Sequence, residues 1–456
     1  MFAYIVSATL LGSIAAQPIA TEVPENAQTE EVQRVAGYRA DIRELRDRIK
    51  AEHPRPFRTL TEAEFDTLVQ AELDALEQTS TRADFLWAMS KVIAAIGCGH
   101  SKLPYFNQQD AEISIEQRFP INVRFHAGRL YVVDAKNNGQ SLSKGDEIVR
   151  INGTPVARLR EEIFARMASD VHLPNSKEAM SNFYSTSYLT YALGFPEQYA
   201  VTLRGQAQSI LLDPMTEWEP DPILRPNDVC REELCYEKDE ARNIGIATLR
   251  SLAFYGGERG DYFQQWWAGV MGDLQTNRRG GLLIDMRGVL GGSGTAGSYM
   301  LRHLTSEPFA FYAENSDPRG REGLFLEQQP IGKGFDGQVY ILMDGLTLSA
   351  VPHFLALAQA NDIATLVGAP AGGGKSTNDG KRRFTSTHES VEYSIARMIF
   401  EVQAPQLTAV EAVQPDIALS YSLVDTLDRS DSMRERAIEL LGLAVERSNS
   451  PTRAER

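Results

Sequence analysis

Basic residues are in short supply in this chain of 456 residues: 46 Lys and Arg stand against 61 Asp and Glu, for a net charge of −15. That balance argues against nucleic acid or an anionic membrane surface as the main partner. Cysteine is scarcer, represented by Cys98, Cys230 and Cys235. Cys230 and Cys235 flank REEL at a spacing that suits a short-loop disulfide in an exported protein, although spacing alone does not fix the pairing. As metal ligands they are too few, so no metal or cofactor is expected. Beyond the N-terminus no run of 18 uncharged apolar residues occurs, and nothing there should cross a membrane. The segment IATLVGAPAGGGKS imitates a phosphate loop, but Ala369 stands where the motif needs its first glycine, with Gly368 one place early.

What is present is a globular composition, 43% apolar and 23% charged, long enough for two or three domains. Residues 1–16 read as a signal peptide: FAYIVSATLLGSIAA is apolar or small, too short to span a bilayer, and followed at once by Gln17. Export to a periplasmic or extracellular location is the expectation, with no membrane span once the signal is removed. Residues 17–36, rich in Glu, Thr and Gln, read as a disordered leader. Helical patterns fill 37–111; Thr61 with Glu64 three residues on has the form of a capping box. From 112 to 215 the period shifts towards two, around a helical stretch near 158–195, and Asn152-Gly153 signals a tight turn. Residues 216–240, rich in Pro, Glu and Asp, suggest a linker. From 241 to 425 apolar strands alternate with helices, the pattern of an α/β core with mostly parallel pairing. Residues 426–456 hold an amphipathic helix and a tail.

Two segments in that core carry the chemistry. GLLIDMRGVLGG (281–292) and QVYILMDGLTLSA (338–350) are each an apolar strand that breaks into small residues before a helix. Such corners are where α/β folds display backbone N–H donors and exposed nucleophiles. The first offers Gly291 and Gly292, the second Ser349. A serine hydroxyl needs a base to take its proton, and the oxyanion formed on attack needs donors aimed at it. The N–H groups of Ala350, Gly291 and Gly292 suit that second task. Two bases are available: His100 in IGCGHSKL and Lys375 in GGGKS. Imidazole titrates near neutrality whereas a lysine must be desolvated first, which favours His100. His353, one helical turn beyond Ser349, is a weaker candidate.

LSKGDEIVRINGTPV looks like the second half of a PDZ-type module. The order of segments, namely helical domain, Gly-His, PDZ-like module, DMRGxxGG, DGxxLSA and LVGAPAGGG, resembles the C-terminal processing (tail-specific) serine peptidases, closest to their tricorn-like Ser/His branch. The resemblance spans roughly residues 38–420. It implies an α/β fold with a crotonase/ClpP-like ββα core, an N-terminal helical domain and a PDZ-like β module. It further implies a serine peptidase that cleaves polypeptide substrates through an acyl-enzyme on Ser349, with His100 as base. Glu411, upstream of Pro415-Asp416, would orient the histidine. In the branch that uses lysine the base lies 25 positions beyond the serine, a place Lys375 misses by one. The chain departs from the family pattern at Cys98, Val289 and Pro352. The alternative is a catalytically inactive peptidase-like module that binds peptides or hydrophobic ligands.

Overall fold

The computed structural model describes residues 25–106, 112–217, 230–319, 322–428 and 430–449. The signal segment 1–16 lies outside the described residues, as do 17–24 of the leader. The first helix, Glu25–Glu52, begins inside the stretch expected to be a disordered leader. The Glu and Gln that suggested disorder are also good helix formers, and the buried Val35 and Tyr38 tie this segment to the core.

Helices Glu62–Ala75 and Arg82–Ala94 both start at capping boxes, Thr61 with Glu64 and Thr81 with Asp84. After the third helix Gly97 takes a φ of +58°, which turns the chain sharply and brings out Gly99 and His100. A sheet of six strands follows. Asn122–His126, Arg129–Asp134, Glu147–Ile151, Ala200–Leu203 and Ser209–Leu211 pair antiparallel in that order, with the short Thr154–Pro155 on Glu147–Ile151. Asn152 and Gly153 both have positive φ in the turn between those two strands, as the Asn-Gly signal requires. Helices Val156–Arg166 and Pro174–Ala192 are inserted before Ala200–Leu203. The three N-terminal helices and this sheet share one apolar cluster, containing Phe65, Phe85, Phe119, Val132, Ile151 and Leu189.

The second core is built on a parallel sheet. Its strands run in the order Ile417–Ala418, Thr365–Gly368, Gln338–Met343, Gly281–Asp285, Ile244–Leu249, with Leu234–Asp239 antiparallel at the edge. That edge strand corrects the assignment of 216–240 to a linker: its whole length pairs with Ile244–Leu249. Cys230 and Cys235 are disulfide-bonded at its start, with a Cα–Cα distance of 5.8 Å. Both sheet faces are covered, which explains the unbroken apolar runs. Ile284 and Ile341 face helices Gly257–Thr276, Gly294–Leu304 and Ala350–Ala360, while Leu283 and Leu342 face Met433, Leu441 and Val445 of helix Ser432–Asn449.

Two devices join and brace these cores. The first is an arm of paired strands, Ser376–Asp379 with Met398–Glu401 and Arg382–Thr385 with Glu392–Ile395. Its tip leaves the parallel sheet and buries Phe384, Val391, Tyr393 and Ile395 in the N-terminal cluster. There the Asp41 carboxylate accepts from Ser386 Oγ (2.6 Å) and from the N–H groups of His388 (2.9 Å) and Glu389 (2.8 Å). The second is a fully buried Arg287 guanidinium. It donates to Asp285 at 2.7 and 3.0 Å and to Asp431, at the start of the C-terminal helix, at 2.6 and 2.8 Å. Burial works against its charge, but the carboxylates around it hold its pKa well above the ordinary arginine value.

Two predictions follow from burial. Replacing the guanidinium in Arg287→Met leaves Asp285 and Asp431 buried without their cation, which should cost about 3–5 kcal/mol in chemical denaturation. A loss below about 1 kcal/mol would show that the cluster does not brace the fold. The second concerns acid. Burial pushes His53 and His172 down to about 4, with Arg58 and Lys177 respectively adding to the effect. The unfolded chain, at about 6.5, therefore binds more protons than the folded one between these values. Stability is complete above about pH 6.5 and falls towards pH 4, each histidine adding a slope approaching about 1.4 kcal/mol per pH unit. His53→Asn should flatten that slope; an unchanged slope would assign the acid sensitivity elsewhere.

Candidate active site

Ser349 sits between strand Gln338–Met343 and helix Ala350–Ala360, at φ +59° and ψ −117°. Few side chains tolerate that backbone, and holding one there costs on the order of 1–3 kcal/mol. The corner is over-determined by its neighbours. The buried Asp344 carboxylate accepts from the N–H groups of Leu346 and Gly288, both at 3.0 Å. Leu348 N–H donates to Val289 O at 3.0 Å, and Thr347 Oγ1 accepts from Asp344 N–H at 3.0 Å. These bonds lock the serine corner against the 286–292 loop and aim Oγ outward.

The glycines of that loop are there for want of room. At Gly291, φ +125°, a Cβ would lie 2.6 Å from Ser349 Cβ and 3.0 Å from its Oγ. At Gly292, φ +150°, it would stand 2.0 Å from the Leu252 carbonyl carbon. The backbone thus runs directly beside the serine hydroxyl. Ala350 opens the helix, where the first N–H groups have no intrahelical partner and carry the positive end of the dipole.

His100 arrives from the N-terminal helices, 249 residues away in sequence, with Nε2 3.0 Å from Ser349 Oγ. Gly99 N–H donates to Asp170 Oδ1 at 2.9 Å, and Ser394 Oγ of the arm donates to His100 O at 3.2 Å. Thr377, also on the arm, donates its hydroxyl proton to Asp170 Oδ2 at 2.8 Å and lies 3.5 Å from His100 Nδ1. With its proton committed to Asp170, Thr377 can only accept from Nδ1. The proton is then on Nδ1, and Nε2 is left free to accept from Ser349. Asp379 adds a carboxylate 3.8 Å from Nε2.

Ser349, His100, Gly291, Gly292 and Ala350 are therefore brought together. Lys375 and Glu411 are not. Lys375 Nζ pairs with Glu401 at 3.5 Å and donates to Ala404 O at 3.3 Å. Glu411 is exposed, and its carbonyl, not its carboxylate, approaches Gly374. This corrects the expected orienting group: Thr377, backed by Asp170, occupies that place. Asp170 lies in a break before Pro174 within the stretch expected to be helical, and Thr377 within the Gly-rich segment considered for its lysine. No sequence spacing linked either to His100. Cys98, beside the base, is fully buried, and burial raises its thiol to about 11, so it is inert as a nucleophile.

Two cavities meet at the serine. One of about 470 Å³ runs past Gly99, Leu103, Met167 and Met180. The other, about 430 Å³, runs past Ser251, Tyr255, Gly291 and Gly292. His100, Leu290, Ser349 and Lys381 line both. Among the described residues no cluster of His, Cys, Asp or Glu could hold a metal, and no helix is long and apolar enough to cross a membrane.

Comparison with known proteins agrees with this architecture. The fold is similar to mature CPAF, with a TM-score of 0.62 at 13% identity, over 91% of this chain and 99% of that one. Mature CPAF complexed with lactacystin gives a TM-score of 0.59 at 13% identity, over 90% of this chain and 98% of that one. No curated protein matches the chain. The model of peptidase family S41 matches residues 245–419. That span runs from the first parallel strand to the last and includes both corners; over it the chain carries a domain similar to peptidase family S41, the C-terminal processing peptidases, and it is a serine-type peptidase.

Proposed function

We propose that the protein is an endopeptidase that cleaves polypeptides through an acyl-enzyme on Ser349. The observation that carries this reading is the 3.0 Å approach of His100 Nε2 to Ser349 Oγ, within the range for proton transfer. Oγ attacks the scissile carbonyl carbon while Nε2 takes its proton, and the carbonyl electron pair moves onto oxygen. The N–H of Ala350 and that of Gly291 or Gly292 receive this oxyanion. Collapse breaks the C–N bond, and the imidazolium gives its proton to the leaving amine. Water then attacks the ester, loses a proton to His100, and Ser349 leaves with that proton restored. Thr377 and Asp170 hold the imidazole in the tautomer this sequence needs.

The remaining features fit an exported peptidase. The apolar 2–16 segment is read as a removable signal, and the Cys230–Cys235 disulfide supports an oxidising compartment, periplasmic or extracellular. The antiparallel unit with the Asn152-Gly153 turn is read as the PDZ-like module, the first three helices as the N-terminal helical domain, and the parallel sheet with its helices as the crotonase/ClpP-like core.

Labelling with a fluorophosphonate probe tests the chemistry. Ser349→Ala should abolish labelling and hydrolysis of unstructured polypeptides, and His100→Ala should lower kcat about 100- to 10,000-fold. Lys375→Ala should leave labelling intact. Hydrolysis that persists in Ser349→Ala would sink the assignment. Thr377→Val removes one neutral hydrogen bond to the base, about 0.5–1.5 kcal/mol, so kcat should fall about 2- to 12-fold at constant KM. Thr377→Ser should restore it; an effect on KM alone would make Thr377 a structural residue.

A further inference from the structure

The glycine loop beside Ser349 is held from two sides. Val289 bonds it to the serine corner, and on the far side it lies against residues 250–253, which continue strand Ile244–Leu249. Leu252 pairs with Gly292 in parallel register. Its N–H donates to Gly291 O at 3.2 Å, and its carbonyl accepts from Ser293 N–H at 2.7 Å. The first of these bonds sets the direction of a donor. The Gly291–Gly292 peptide is planar and trans, so its N–H points opposite to its C=O. With Gly291 O fixed on Leu252, the Gly292 N–H is turned away from Leu252, and no described residue accepts from it. A Cβ at Gly292 would meet Leu252 and one at Gly291 would meet Ser349, so the loop is sandwiched between the two.

The position of Leu252 is set in turn by Arg250. The Arg250 N–H donates to Glu233 O at 2.8 Å, and its guanidinium donates to Cys230 O. Both acceptors belong to the short loop that the Cys230–Cys235 disulfide closes at the start of edge strand Leu234–Asp239. The Glu233 carboxylate is further paired with Arg259 at 2.9 Å. Arg250 also lines the cavity of about 430 Å³ that holds Gly291, Gly292 and Ser349. A continuous set of bonds thus leads from the disulfide, through Arg250 and Leu252, to the loop that faces the serine.

We propose that Arg250 is a positioning residue for the Gly292 N–H, held in place by the Cys230–Cys235 disulfide, so that reducing the disulfide slows turnover. This rests on the reading of Ser349 as the nucleophile and of the loop as an oxyanion donor. A dithiol passes two electrons and two protons to the bridge, leaving two cysteine thiols and the oxidised dithiol. Cys235 is only half-buried, which lets the dithiol reach it. With Cys98 free and buried, the three cysteines provide this one bond to cleave. Once it is open, Cys230 O is no longer held against Arg250, and the donor loses its aim while the substrate cavities keep their walls.

Hydrolysis of an unstructured polypeptide by the full chain, oxidised or treated with dithiothreitol, tests this. Reduction should lower kcat about 10-fold and leave KM within about 2-fold, a smaller loss than the roughly 100- to 1,000-fold that follows removal of a whole donor. Arg250→Met should show the same loss, and reduction should then add nothing, because both act on one set of bonds. Arg250→Lys, which keeps a donor, should restore most of the activity together with its sensitivity to dithiol. A peptide aldehyde, whose serine adduct carries the oxyanion, should bind about 10-fold more weakly after reduction. An uncleaved peptide should bind Ser349→Ala equally well in both states, and circular dichroism should show the same folded signal. An unchanged kcat on reduction, a loss confined to KM, a loss that tracks unfolding, or a full further loss on reducing Arg250→Met would each overturn the proposal. Failure of the Ser349 reading shows itself separately, as hydrolysis that persists in Ser349→Ala.

Discussion

The imidazole of His100 and the hydroxyl of Ser349 meet because two separately packed cores are held together by a β arm and by contacts such as Asn175 Nδ2 donating to the Pro370 carbonyl at 2.6 Å. The histidine belongs to the helical and antiparallel half, the serine to the parallel sheet. Their apolar clusters contribute no shared side chains. The arm starts and ends in the parallel half, yet its tip aromatics are buried in the other. It also supplies Thr377 to one side of the imidazole and Ser394 to the His100 carbonyl. Arg55, from the N-terminal half, donates to Asn378 and Ser376 at the base of the same arm. The chemistry is therefore positioned by the interface between halves, to which the arm contributes on both sides.

On the serine side the burden falls on local bonds. A non-glycine residue at φ +59° persists only where the surrounding structure forbids relaxation, and here Asp344, Thr347 and Leu348 do so by bonding the corner to the neighbouring loop. The buried Arg287 belongs to that loop and ties it to the C-terminal helix through Asp431. Asp285 and Arg287 of DMRG are thus structural, whereas the glycines that follow are kept bare by contact distances to Ser349 and Leu252. One motif serves two purposes, with a buried ion cluster at its front and an open backbone at its end.

Much of this was legible in the sequence. Strand-to-helix corners follow from apolar runs ending in small residues, so Ser349, Gly291 and Gly292 could be named from pattern alone. His100 was favoured over Lys375 because imidazole needs no desolvation, and the structure gives the lysine a carboxylate partner, Glu401. What could not be read were groups whose role depends on long-range pairing. Asp170 and Thr377 sit 70 and 277 residues from His100 in unremarkable surroundings. The arm consists of short strands whose tip packs against a distant part of the chain, and the edge strand Leu234–Asp239 was hidden in a polar stretch because most of it is half-buried or exposed. The helix from Glu25 was hidden because Glu and Gln serve disorder and helix equally until tertiary contacts decide.

The central claim, a serine nucleophile facing backbone donors with His100 at its side, is tested most directly by a crystal structure of the protein inactivated with a phosphonate. The account predicts phosphorus bonded to Ser349 Oγ, with its free oxygen about 2.7–3.1 Å from the N–H of Ala350 and from that of Gly291 or Gly292. Phosphorus on any other side chain, or an oxygen turned away from those N–H groups towards Lys375, would contradict it.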